Sequence, residues 1–267
     1  MSESTQMLVE EYRQDIERYA FYDLNVWCDL SPQTGFYQPE SLAQIVHDLE
    51  QCGIRRAVIT HAQCLAYDPL RGNESMARLI DSQPCLFGAM VLVPDIALGG
   101  GRVQSYIDAK IQQRFVVARM FPKRLSHSMR KWQVGEMLAY LEQRRLPLML
   151  WHNEVSWDLI ESICQEYPEL PVIVEGNDVK LLYHNRNYLV LLAHCPNLYL
   201  ETHNLVLYSE IEHLAGQVAP DRLLYGSYFP YNTPHASLLP ILRARVPDEV
   251  KGQLAARNLE RLLSQIR

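Results

Sequence analysis

Eight short apolar runs, rich in β-branched and aromatic residues, recur along the chain and constrain its fold more than any other feature. They are FYDLNVWC from Phe21, RRAVITHA from Arg55, CLFGAMVLV from Cys85, FVVARMF from Phe115, PLMLWH from Pro147, PVIVEG from Pro171, NLYLETH from Asn197 and RLLYGSYF from Arg222. Between most of them lies a stretch with apolar residues at helical spacing, such as SLAQIVHDLEQCG, VQSYIDAKIQQR and SWDLIESICQEYP. Gly53 closes the first of these and Pro168 the last, as helix stops do. The runs are continuously apolar rather than alternating, which is the pattern of strands covered on both faces. Eight strands, each followed by a helix, pair in parallel through right-handed crossovers and close into a (β/α)8 TIM barrel of the α/β class.

At 267 residues the chain suits one domain. Met7, Leu8, Tyr12, Ile16 and Tyr19 recur at helical spacing, so residues 1–20 are expected to form an extra N-terminal helix packed on a barrel of residues 21–267. The formal net charge of -6, with scattered basic residues, argues against the clustered basic face that nucleic acid needs. Six cysteines without CxxC pairing fit a reducing compartment and argue against disulfides and structural zinc. The opening segment lacks the apolar core of a signal peptide, and no stretch is long and apolar enough to span a bilayer. These features predict a cytoplasmic protein with a small-molecule partner and no nucleic-acid or membrane partner; homo-oligomers are compatible with them. PDIALGGGRV (94–103) is expected to be a loop, its glycines lacking the GxGxxG arrangement.

Barrels of this kind build their sites from the C-terminal ends of the strands. The polar residues there are Asp23 and Asn25 on strand one, His61 on two, Arg119 on four, and His152, Asn153 and Glu154 on five. Glu175 and Asn177 end strand six, Glu201 and His203 strand seven, Ser227 and Tyr228 strand eight. Arg119 offers a planar fork for a carboxylate or phosphate, or else a salt bridge to Glu175 or Glu201. Glu175, at the end of an apolar strand, is the candidate general base, with burial expected to raise its pKa. Asp23 is expected to pair with a neighbouring amide or arginine beneath the pocket. Trp27 and Trp151 are candidate apolar walls or core residues. No GxSxG elbow or cysteine–histidine pairing points to a nucleophile.

The order of these segments resembles the amidohydrolase superfamily, in its branch of decarboxylase-like and small metal-dependent hydrolases. Asp23-Leu24-Asn25-Val26-Trp27 falls where that family has D-x-H-x-H. LPLMLWHNE resembles its strand-five segment ending in a ligand histidine, and YPELPVIVEGN its strand-six segment. DRLLYGSYFP matches a D-R-L-L-F-G-S-D-Y-P pattern, and ARNLERLL is similar to the family's terminal helix. The departures are as informative. Asn25 and Trp27 stand in place of two metal-binding histidines, and an indole N–H cannot ligate a cation. Tyr228 stands in place of the aspartate that serves as ligand and base, and the strand-six histidine is absent.

The resemblance thus implies hydrolysis, decarboxylation or lactone opening on a small carboxylated or cyclic substrate, without the family's metal centre and with no cofactor expected. Glu175 and His152 are the expected proton-moving residues, and Arg119, Asn25, Trp27, His61, Asn177, His203 and Tyr228 the expected substrate contacts. Zinc or another divalent ion on His152, Glu175 and His203 is the alternative. A non-catalytic barrel that binds a small ligand or a protein partner is the alternative function.

Overall fold

The structure is a computed structural model that describes residues 3–29, 41–97, 102–176, 181–217 and 220–267. Among the described residues, eight parallel strands lie in chain order: β1 Phe21–Cys28, β2 Ile54–His61, β3 Leu86–Val91, β4 Phe115–Arg119, β5 Leu148–Trp151, β6 Val172–Glu175, β7 Leu198–Glu201 and β8 Leu223–Leu224. The last strand returns to the first. The Leu24 N–H donates to the Tyr225 carbonyl at 3.0 Å and the Trp27 N–H to the Phe229 carbonyl at 2.8 Å, completing the barrel. Helices separate the strands, as the alternating pattern requires. The helix Leu42–Gln51 ends against Gly53, whose φ of +75° is open to glycine at little cost.

A helix over Glu3–Tyr19 precedes β1 and packs Ile16 against Gly53, while Arg18 and Arg243 form surface ion pairs with Asp248 and Glu11. No helix among the described residues is long and apolar enough to cross a membrane. Pro94–Ala97 forms a short 3-10 turn, and the triple glycine after it lies outside the described residues.

Strand side chains alternate faces, so the residues pointing into the barrel stack in layers. The floor is apolar: Tyr22, Leu24, Val58, Val117, Met149 and Ile173 pack against Leu259 and Leu262 of the C-terminal helix. Two residues further along β2, β4, β6 and β7 the chemistry changes. Thr60, Arg119, Glu175 and Glu201 are all buried there, joined by Asn25 of β1. Above them Trp27, Val91, Phe121, Trp151 and Tyr228 form a second apolar cluster. The polar layer is therefore sandwiched between an aliphatic floor and an aromatic cover.

Candidate functional site

Asp23 sets the geometry of the β1 end. Its Oδ1 accepts the backbone N–H groups of Asn25 and Ser227, each at 2.9 Å, and so ties a register shift in β1 to the stretch after β8. Its Oδ2 is buried without a hydrogen-bond partner. Burial pushes its pKa up to about 6, against the opposing hydrogen bonds from Ser227 and Asn25.

Asn25, held by that bulge, is the hub of the polar layer. Its amide donates to Glu175 and, at 3.4 Å, to Glu201. Its Oδ1 accepts from the Trp27 indole at 3.1 Å and from Arg119 Nη1 at 3.3 Å. Arg119 also donates to Thr60 at 2.9 Å and forms a fully buried ion pair with Glu175. The rings of Trp27, Phe121 and Trp151 surround the guanidinium, the nearest with its centroid 4.6 Å away. Burial pulls the Arg119 pKa down to about 9, Tyr228 and Glu201 opposing. It remains a cation at neutral pH.

On the other side of Asn25, Glu201 and His203 form a second pair. His203 donates its ring Nδ1–H to one carboxylate oxygen and its backbone N–H, at 2.8 Å, to the other. Because a carboxylate only accepts, this contact places the proton on Nδ1 and the basic lone pair of a neutral ring on Nε2. Glycine at 226 permits the approach, since a Cβ there would stand 2.6 Å from the Glu201 carboxyl carbon. Over His203 the ring of Tyr228 stacks at 4.8 Å, and Tyr231 stacks on Tyr228 at 4.7 Å. Tyr228 adopts φ +58°, a left-handed conformation that a bulky residue rarely holds.

The strand-end residues therefore divide. Asn25, Trp27, Arg119, Glu175, His203 and Tyr228 come together at one place. His152 does not join them. It lies one residue past β5 and so on the opposite face from Trp151, with its Nδ1 3.2 Å from the Glu175 carbonyl oxygen and its ring 4.8 Å from that of His184. His61 sits apart in a cleft of about 460 Å³ lined by Asp29, Gln63, Ser75 and Arg78. It accepts the Gln63 N–H at 3.3 Å, and burial lowers its pKa against the pull of Asp29. Asn177 lies outside the described residues.

Glu201 is the site residue that strand-end reasoning underrated. The signal was present in LETH, where a carboxylate and a histidine two apart on a strand share a face.

Glu175, Glu201 and His203 bring one ligand atom each to within 4.8 Å of one another, a grouping that could hold a metal ion. It matches only two of the three residues expected from sequence, with Glu201 in the place of His152. Both carboxylates already accept from protein donors. Arg119 and Asn25 hold Glu175, and His203 holds Glu201 through the nitrogen that faces it. As arranged, both carboxylates face protein donors rather than an open cation position.

No family model matches the chain, and no curated protein does. Solved structures do match over nearly its whole length. An uncharacterised TIM-barrel protein from Bordetella bronchiseptica is 15% identical, with a TM-score of 0.71 over 92% of this chain and 98% of that one. A candidate amidohydrolase from Staphylococcus aureus is 14% identical, with a TM-score of 0.69 over 91% and 99%. The 5-carboxyvanillate decarboxylase from Novosphingobium aromaticivorans, complexed with manganese and 4-hydroxy-3-methoxy-5-nitrobenzoic acid, is 12% identical, with a TM-score of 0.70 over 93% and 97%. The barrel is thus the one that amidohydrolase-type proteins and these decarboxylases share, and the resemblance read from the sequence holds at the level of fold.

Proposed function

We propose that the protein is a hydrolase- or decarboxylase-like enzyme of the amidohydrolase type, acting on a small carboxylated or cyclic compound by acid–base chemistry without a divalent metal. The observation that carries this reading is the buried Glu201–His203 pair. A carboxylate that fixes an imidazole with Nδ1 protonated prepares Nε2 to take a proton and later return it. That assigns proton movement to His203 and Glu201, and it revises the expectation for Glu175, whose carboxylate is committed to Arg119 and Asn25.

The cover and the neighbours in fold support this substrate class. Trp27, Phe121, Trp151 and Tyr231 offer aromatic surface against which a planar ring can pack. Neighbours named for 2,6-dihydroxybenzoate and 5-carboxyvanillate act on carboxylated rings. Fold alone does not transfer activity, so the claim rests on the site.

One observation favours a second reading, a ligand-binding barrel. The polar layer is satisfied from within, and Trp27, Phe121, Trp151 and Tyr228 above it are each at most 5% exposed, so a ligand must part these rings to enter. The two readings separate on a panel of hydroxybenzoates and aromatic lactones. Quenching of Trp27 and Trp151 fluorescence reports binding, and chromatography reports consumption. Consumption of any member supports the enzyme, whereas saturable binding without consumption supports the binding barrel.

A further inference from the structure

We propose that the Arg119 guanidinium is a built-in substitute for a metal ion: it supplies the positive charge at the Glu175–Glu201–His203 cluster and thereby bars divalent cations from it. The cluster has the donor types and the spacing of a sparse metal site, two carboxylates and one imidazole within 4.8 Å. A divalent ion there would need lone pairs on both carboxylates. Those lone pairs face protein donors instead. Glu175 pairs with Arg119, the Asn25 amide reaches both acids, and the His203 Nδ1–H caps Glu201.

The guanidinium is also fixed in place. Thr60 and Asn25 accept from Nη1 at 2.9 and 3.3 Å, Glu175 accepts from Nη2, and three aromatic rings enclose the head group. Arginine is suited to this because it is always charged in proteins and delivers several donors in a rigid plane. A metal ion entering beside it would meet a like charge in a site that water does not screen. At interior screening, one unit charge a few ångströms away is worth roughly a thousandfold in an equilibrium constant.

Removing the guanidinium should therefore uncover the metal site. Wild-type protein, Arg119→Ala and the double variant Arg119→Ala/Glu201→Gln are stripped with chelator and dialysed against Mn²⁺ or Zn²⁺. Metal content is then read by plasma mass spectrometry and thermal midpoint by calorimetry. Wild type is expected to retain less than roughly a tenth of an equivalent and to show no metal-dependent midpoint, whereas Arg119→Ala binds on the order of a hundredfold or more tighter and is stabilised by the metal. The double variant loses that uptake, which places the ion at the cluster.

Stoichiometric metal in the wild type, lost on Glu201→Gln, overturns the proposal, as does a folded Arg119→Ala that takes up none. If Arg119→Ala does not fold alone, refolding it with and without Mn²⁺ keeps the test open: rescue by metal supports the proposal, and failure in both overturns it. None of these readouts depends on turnover: a folded Arg119→Ala that takes up no metal overturns the proposal and leaves the enzymatic reading standing, whereas stoichiometric metal in the wild type overturns both the proposal and the metal-free mechanism.

Discussion

His203 donates its ring Nδ1–H to Glu201, its neighbour two residues back at the end of β7, while its backbone N–H donates to the second oxygen of the same carboxylate. One acid thus fixes both the tautomer and the position of the imidazole. The expected consequence is an Nδ1-protonated ring, visible in the ¹⁵N chemical shifts of histidine-labelled protein. In Glu201→Ala the preference for that tautomer disappears. Detection of the Nε2–H form in the wild type would contradict the arrangement.

Gly226 is expected to be irreplaceable. Its hypothetical Cβ would stand 2.6 Å from the Glu201 carboxyl carbon, inside contact distance, with the barrel wall behind it. Gly226→Ala should destabilise the protein by about 1–3 kcal/mol, the usual cost of overpacking, as measured by urea denaturation. It should also displace Glu201 and disturb the His203 tautomer. A neutral substitution would show that this wall is looser than described.

The Arg119–Glu175 pair makes a different prediction. Breaking a buried ion pair from one side strands the other charge, so Arg119→Met or Glu175→Gln alone should cost about 3–5 kcal/mol. The double variant should cost clearly less than the sum of the two. Additive losses in a double-mutant cycle would mean the charges are not coupled.

Asp23 links the site to pH. Its native pKa of about 6 lies above the ordinary value of 3.8, so the native state holds this proton more tightly than the unfolded chain does. The stabilisation is complete below the unfolded value and is lost as pH rises through about 6. Relative to Asp23→Asn, the wild type should lose up to about 3 kcal/mol between pH 4 and 7. A difference that stays flat or grows with pH would refute the raised value.

Much of this architecture was legible in the sequence, and the gaps have physical causes. FYDLNVWC matches β1 residue for residue, because a strand buried on both faces is mainly apolar, here interrupted only by the buried Asp23 and Asn25. RLLYGSYF, by contrast, contributes only Leu223–Leu224 as regular strand. Beyond it the chain is held by Asp23 and by two backbone bonds to β1, which composition does not reveal. Arg119 and Glu175 were readable as strand-end charges, and salt bridging was one of two open roles for Arg119; the structure shows that bridge. The identity of the metal-like cluster was not readable in full. A one-residue offset turns His152 away, and Glu201 enters only because glycine at 226 leaves room.

The most direct test of the central claim compares wild type with His203→Gln on whichever carboxylated ring or lactone the wild type consumes, with chelator present throughout. Wild-type turnover is expected to survive the chelator. In His203→Gln, kcat should fall by roughly 10²–10⁴-fold, the range of general acid–base catalysis, while the thermal midpoint stays close to that of the wild type. Undiminished turnover in His203→Gln would contradict the assignment of proton transfer to this pair, and activity abolished by the chelator would contradict the metal-free mechanism.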